Sequence, residues 1–179
     1  NTAIGTRSFG SDASMVADMV TKELEGLSSQ GVFGAVKHFP GQGGVSGDSH
    51  DGAVTLDKSL EELMQTELVP FQKALENGVS FVMVGHISVP QVVGDNTPAS
   101  LSQMMVSNVL REQLGYQGIV ITDAMNMGAI TGTYTADQAA VMAVNAGVDM
   151  ILMPQDYETA YNGLLQACLL YTADAADER

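Results

Sequence analysis

Short apolar runs without polar alternation recur between longer stretches of helical periodicity. That rhythm limits the chain to a small set of folds. Ser80-Phe81-Val82-Met83-Val84 and Gly118-Ile119-Val120-Ile121-Thr122-Asp123 are two such runs. They have the pattern of strands buried on both faces. Ahead of each run lies an apolar stripe at helical spacing. The first is Leu60, Leu63, Met64, Leu68, Phe71 and Leu75; the second is Leu101, Met104, Met105, Leu110 and Leu114. Strands alternating with helices predict a parallel sheet with right-handed crossovers.

Local signals set the boundaries. Ser11-Asp12 is an N-cap for a helix through Met15, Val16, Met19, Val20, Leu24 and Leu27, with Gly31 beyond its end. A first strand is expected over Val32-Phe33-Gly34-Ala35-Val36. Ser59-Leu60-Glu61-Glu62 reads as a capping box, and Pro70 must kink or divide the helix that follows. Ser100-Leu101-Ser102-Gln103 reads as a second capping box, with Gly115 as the stop. A helix is expected over 136–146, capped by Gly147, then a fourth strand over Asp149-Met150-Ile151-Leu152-Met153-Pro154 and a last helix from near Asp156. Four such βα units fit either a small doubly wound sheet or half of an eight-stranded barrel. The glycines at 41, 43, 44 and 47 miss the dinucleotide-binding spacing, and no P-loop lysine follows them.

The chain has 179 residues, enough for one domain with a sizeable core. Its formal net charge of −14 argues against bulk-charge binding to nucleic acid or an anionic membrane. No apolar run approaches the roughly 18 residues of a membrane span. A single cysteine, Cys168, excludes an internal disulfide. The 11 methionines sit mostly on helix faces, as core filler.

Residues able to do chemistry gather after the expected strand ends, where a barrel carries its active site. Lys37-His38-Phe39-Pro40-Gly41 opens a glycine-rich loop that runs to Asp48-Ser49-His50. If that loop is locally extended, Asp48 and His50 point the same way. The carboxylate could then hold one ring nitrogen and leave the other for proton exchange. The alternatives are a solvated turn or a metal set of Asp48, His50 and Asp51, which lacks the two-histidine spacing of common zinc motifs. Lys37 and His38 offer donors for hydroxyl or carbonyl oxygens; equally, Lys37 could snorkel and His38 could be a satisfied core residue. Asp123 ends an apolar strand, as a nucleophile or ligand in a pocket or as the N-cap of the next helix. His86 reads as structural.

Taken together, these motifs resemble glycoside hydrolase family 3, in particular its β-N-acetylhexosaminidase branch. Lys37-His38-Phe39-Pro40-Gly41 with Asp48-Ser49-His50 is similar to that family's loop signature. Ile121-Thr122-Asp123-Ala124-Met125-Asn126-Met127 looks like its nucleophile strand. Asn145-Ala146-Gly147-Val148-Asp149 through Pro154 looks like its last barrel strand, and Thr6-Arg7-Ser8-Phe9-Gly10 like the loop carrying a sugar-binding arginine. Gln42 stands where the branch often has a histidine.

The resemblance implies an α/β fold, the C-terminal half of a (β/α)8 TIM-type barrel over residues 1–167; residues 168–179, where the amphipathic rhythm breaks, read as a tail, non-native or disordered. It implies removal of terminal non-reducing β-linked N-acetylglucosamine with retention, on peptidoglycan- or chitin-derived fragments. Asp123 would be the nucleophile, His50 the proton donor and acceptor, and Asp48 its orienting partner. Arg7, Lys37 and His38 would bind the sugar. Neither a metal nor an organic cofactor is implied; the partner is a carbohydrate. A β-glucosidase, a phosphorylase or a sugar-binding module without catalysis are the other readings. An open half-barrel would expose strand edges, so self-association and weak or absent activity are expected of this stretch alone.

Overall fold

A computed structural model describes residues 4–45, 47, 49 and 52–177, with side chains as far as Leu170. After a 3-10 turn at Gly5–Arg7, helix α1 spans Ala13–Ser29. Asp12 caps it, accepting a hydrogen bond from the Met15 amide at 2.8 Å. At its far end Gly31 takes φ +71°, and the amides of Gly31 and Val32 donate back to the carbonyls of Ser28 and Leu27. Val32 is thereby drawn into the helix stop. The first strand consequently begins three residues later than the apolar run suggests. Strand β1 is Ala35–Phe39, and it carries Lys37 and His38 within it.

The chain continues through β2 (Val54–Thr55), α2 (Leu60–Gln65), α3 (Val69–Glu76), β3 (Phe81–Val84), β4 (Ile87–Ser88) and α4 (Pro90–Val93). The Ser59–Glu62 capping box forms as read, and Pro70 lies in the first turn of α3, so the expected long helix is divided. A 3-10 turn at Ala99–Leu101 leads into a π-helix at Met104–Gln113. The second capping box does not form. Ser102, not Ser100, stands before that helix, and Ser100 turns inward, fully buried, to serve His86. Strand β5 (Ile119–Thr122), α5 (Gly128–Thr131), α6 (Ala136–Ala146) and α7 (Tyr157–Asp177) complete the order.

Strands β1, β3 and β5 form one parallel sheet in that order. The fourth expected strand lies along β5 but makes a single parallel bridge, Ile121 to Met150. Side chains take the place of further ladder bonds there. The Val120 amide donates to the Asp149 carboxylate at 2.8 Å, and the Leu152 amide to Thr122 Oγ1 at 3.0 Å. Arg111 ties the same end together, reaching Asp149 at 2.6 Å and the Gly147 and Gly118 carbonyls. A second, two-stranded parallel pair, β2 with β4, was not visible in the sequence.

The core lies between sheet and helices. Phe39, Leu63, Leu68, Val82, Val84, Met105, Leu110 and Val120 are fully buried. Phe39 meets Phe71 edge-on, with ring centroids 5.4 Å apart. α1 packs on α3, and α6 on α7. Met15 and Met19 on α1, with Val32 and Phe33 ahead of β1, remain exposed. None of the described helices is long and apolar enough to cross a membrane.

Candidate active site

The C-terminal ends of the three parallel strands converge on one spot. His38 comes from β1 and Asp123 follows β5 directly; between them β3 ends in Gly85-His86. The register of β1 against β3 shifts between Lys37 and Phe39, which leaves His38 outside the one-to-one pairing. The Lys37–His38 and Phe39–Pro40 peptide bonds are cis. Gly85 leaves room here: a Cβ at that position would stand 3.0 Å from His38 Cβ, so His38 would have to shift by a few tenths of an ångström.

Across this gap His38 Nε2 lies 3.6 Å from Asp123 Oδ2. That is an electrostatic contact, longer than a hydrogen bond. Both side chains are mostly covered, 14% and 15% exposed. Burial pushes the His38 imidazole down to about 4. Asp123 opposes that shift, while Lys37, Arg7 and His86 add to it. His38 is therefore neutral near pH 7. It presents a ring N–H donor and a ring acceptor, suited to hydroxyl groups. The second Asp123 oxygen, Oδ1, accepts the Ala124 amide at 2.8 Å. The Asp123 amide itself donates to the Val84 carbonyl at 2.9 Å, which fixes the residue to the end of β3.

Arg7 belongs to the 3-10 turn before α1, with its Nε donating to the Ile4 carbonyl at 3.2 Å. Its positive charge is near enough to disfavour protonation of His38. Lys37 is exposed. Asp48 and His50 lie outside the described residues. Their neighbour Ser49 is buried, and its carbonyl accepts the Ala129 amide at 3.2 Å, which ties the glycine-rich loop to the start of α5.

Two groups in this region were not foreseen as parts of the site. Glu67 forms the floor of the glycine-rich loop. A Cβ on Gly41 would come within 2.6 Å of Glu67 Cβ, and one on Gly44 within 2.7 Å of its Oε1. Burial pushes this carboxyl up, but hydrogen bonds from Lys58, at 2.7 and 2.9 Å, and from Thr66 outweigh it and hold it below its ordinary value. The other group is His86, 1% exposed. Its Nδ1 lies 2.8 Å from Ser100 Oγ and its Nε2 3.0 Å from the Ala124 carbonyl. The glycine spacing and the strand-end position were the only signals for either.

The model of the glycosyl hydrolase family 3 N-terminal domain matches residues 1–171. The chain belongs to glycosyl hydrolase family 3. Among family members it is similar to a β-hexosaminidase of Chromobacterium violaceum, 35% identical over 88% of this chain and 43% of that protein. Among solved structures it superposes on a family 3 β-N-acetylglucosaminidase from Paenibacillus sp. str. FPU-7. The TM-score is 0.90 at 40% identity, over 93% of this chain and 32% of that one. It also superposes on a β-glucoside phosphorylase, BglX, with a TM-score of 0.86 at 27% identity, over 92% of this chain and 32% of that one. The chain thus spans less than half the length of these relatives. The fold is that of the family 3 barrel, and the parallel strands with their helices are a portion of it.

Proposed function

We propose that this chain supplies the nucleophile side of a retaining β-N-acetylglucosaminidase. The substrate class is terminal, non-reducing β-linked N-acetylglucosamine on peptidoglycan- or chitin-derived fragments. The observation that carries the reading is Asp123 at the end of β5. It is anchored by Val84, mostly covered, and faces the neutral His38 at 3.6 Å, in a chain of this family.

In the first step an Asp123 carboxylate oxygen attacks the anomeric carbon. The bond from that carbon to the leaving oxygen breaks, and His50 gives that oxygen its proton. Asp48 holds the His50 ring in place. In the second step His50 takes a proton from water, the water oxygen attacks the anomeric carbon, and Asp123 leaves. Two displacements at one carbon give retention. Arg7, Lys37 and His38 hold the hydroxyls and the N-acetyl group. A histidine in place of the usual second carboxylate lowers the negative charge beside the leaving group.

The same lowered charge favours a second reading, in which phosphate replaces water in the second step. Its support is the likeness to a β-glucoside phosphorylase. One experiment separates the two. The full-length protein is incubated with an aryl N-acetyl-β-glucosaminide and an aryl β-glucoside, with and without inorganic phosphate. Release of free N-acetylglucosamine from the first substrate alone is expected. Sugar 1-phosphate as the main product would favour the phosphorylase. Preference for the glucoside, or binding without cleavage, would overturn the proposal.

A further inference from the structure

We infer that His86 is a positioning residue for Asp123, acting through the Ala124 peptide as the centre of a buried Ser100–His86–Ala124 clamp. The inference rests on the reading of Asp123 as nucleophile.

The argument begins with the peptide after Asp123. A carboxylate on a single-bonded stem can rotate. Here Oδ1 is held by the Ala124 amide at 2.8 Å, so the carboxylate plane follows the orientation of the 123–124 turn. That turn is fixed from three sides. The Asp123 amide is bonded to Val84, and the Met125 amide donates to the Leu152 carbonyl at 2.9 Å. The third tie is the Ala124 carbonyl, which His86 Nε2 meets at 3.0 Å. Losing that tie frees the Ala124 peptide to tilt, and with it the amide that orients Oδ1.

The chemistry of the clamp follows from what each atom can do. A carbonyl only accepts, so Nε2 must carry the hydrogen. In a ring with one proton Nδ1 would then be an acceptor for the Ser100 hydroxyl, whose Oγ lies 2.8 Å away. Ser100 fits this task because it is 0% exposed and lies in the 3-10 turn at Ala99–Leu101, where its own amide donates to the Gly85 carbonyl at 3.3 Å. His86 and Ser100 are thereby braced against the same residue, Gly85, whose lack of a side chain admits His38. The clamp links the end of β3 to both chemically active neighbours.

A plain alanine at 86 is a poor test, because His86 also walls a cavity of about 320 Å³ with Ser88, Asn96, Thr97 and Tyr134. The variants are therefore His86→Leu, which fills the space but cannot donate, and His86→Gln, whose terminal amide can restore a donor to Ala124. Ser100→Ala removes only the far brace. Each is compared with the unsubstituted full-length protein on the aryl N-acetyl-β-glucosaminide, with near-UV circular dichroism as the check on folding.

With the nucleophile misoriented, His86→Leu is expected to lower kcat by about 100-fold while KM moves less than about threefold. His86→Gln is expected to recover at least about tenfold of that loss, and Ser100→Ala to lose about three- to tenfold in kcat. Equal kcat in all variants, or a loss confined to KM, overturns the inference and leaves the proposed function standing. Failure of His86→Gln to recover any of the loss in a folded protein also overturns it. If His86→Leu does not fold, Ser100→Ala alone decides: unchanged kcat refutes the clamp. Absence of turnover in the unsubstituted protein refutes the proposed function, and the inference with it.

Discussion

Replacing His38 with asparagine tests the electrostatics of the site through stability alone, without a substrate. The native imidazole is pushed from 6.5 to about 4, chiefly by burial. In the unfolded chain the same ring titrates near its ordinary value of about 6.5. The unfolded state therefore binds the proton first as pH falls, and protonation favours unfolding. The contribution is fully present above about pH 6.5 and is lost as pH drops toward 4. Between pH 8 and pH 5 the two titrations differ by about 1.5 decades, or about 2 kcal/mol at about 1.36 kcal/mol per decade. Asparagine keeps a donor and an acceptor but has no titration. Urea unfolding at pH 8 and pH 5 is expected to show the wild-type chain losing about 2 kcal/mol more than His38→Asn over this interval. A ring carbon resonance of His38 followed by NMR should titrate near 4. Identical pH slopes for the two proteins, or a His38 titration near 6.5, would refute the burial argument.

Three further outcomes follow from local geometry. Gly41→Ala forces a side chain onto φ +131° and against Glu67, and should cost about 1–3 kcal/mol in denaturant unfolding, with turnover lost. Lys58→Met leaves the Glu67 carboxylate without its ion partner and should cost about 1–3 kcal/mol at pH 7, recovered largely when Glu67→Gln is added in a double-mutant cycle. Because the native Glu67 carboxyl is held below 4.5, this cost should shrink as pH falls below that value. Ser59→Ala removes one half of a formed capping box and should lower stability by about 1 kcal/mol, read by thermal unfolding.

The strands β3 and β5 were legible to within a residue because both faces are buried and their apolar runs have sharp ends. β1 was displaced because Val32 completes the stop of α1, a bond that composition does not reveal. Two-residue strands such as β2 and β4 are too short to carry a period. The fourth strand has the right residues, but Asp149 and Thr122 side chains take ladder bonds from it. Lys37, His38 and Asp123 could be placed near one another from the sequence because strand ends in a parallel fold gather at one face. The role of His86 could not be found, since its partners lie 14 and 38 residues away. Ser100 looked like a helix cap, and the same hydroxyl is used instead for a buried ring. Glu67 was hidden for a related reason: only the folded chain brings it under Gly41 and Gly44.

Covalent trapping on Asp123 bears most directly on the central claim. The full-length protein would be incubated with a fluorinated N-acetyl-β-glucosaminide bearing a good leaving group, digested, and mapped by tandem mass spectrometry. The expected result is one sugar added to the peptide that contains Asp123, with none in Asp123→Asn. A trapped sugar on another carboxylate, or turnover retained by Asp123→Asn, would contradict the assignment of the nucleophile.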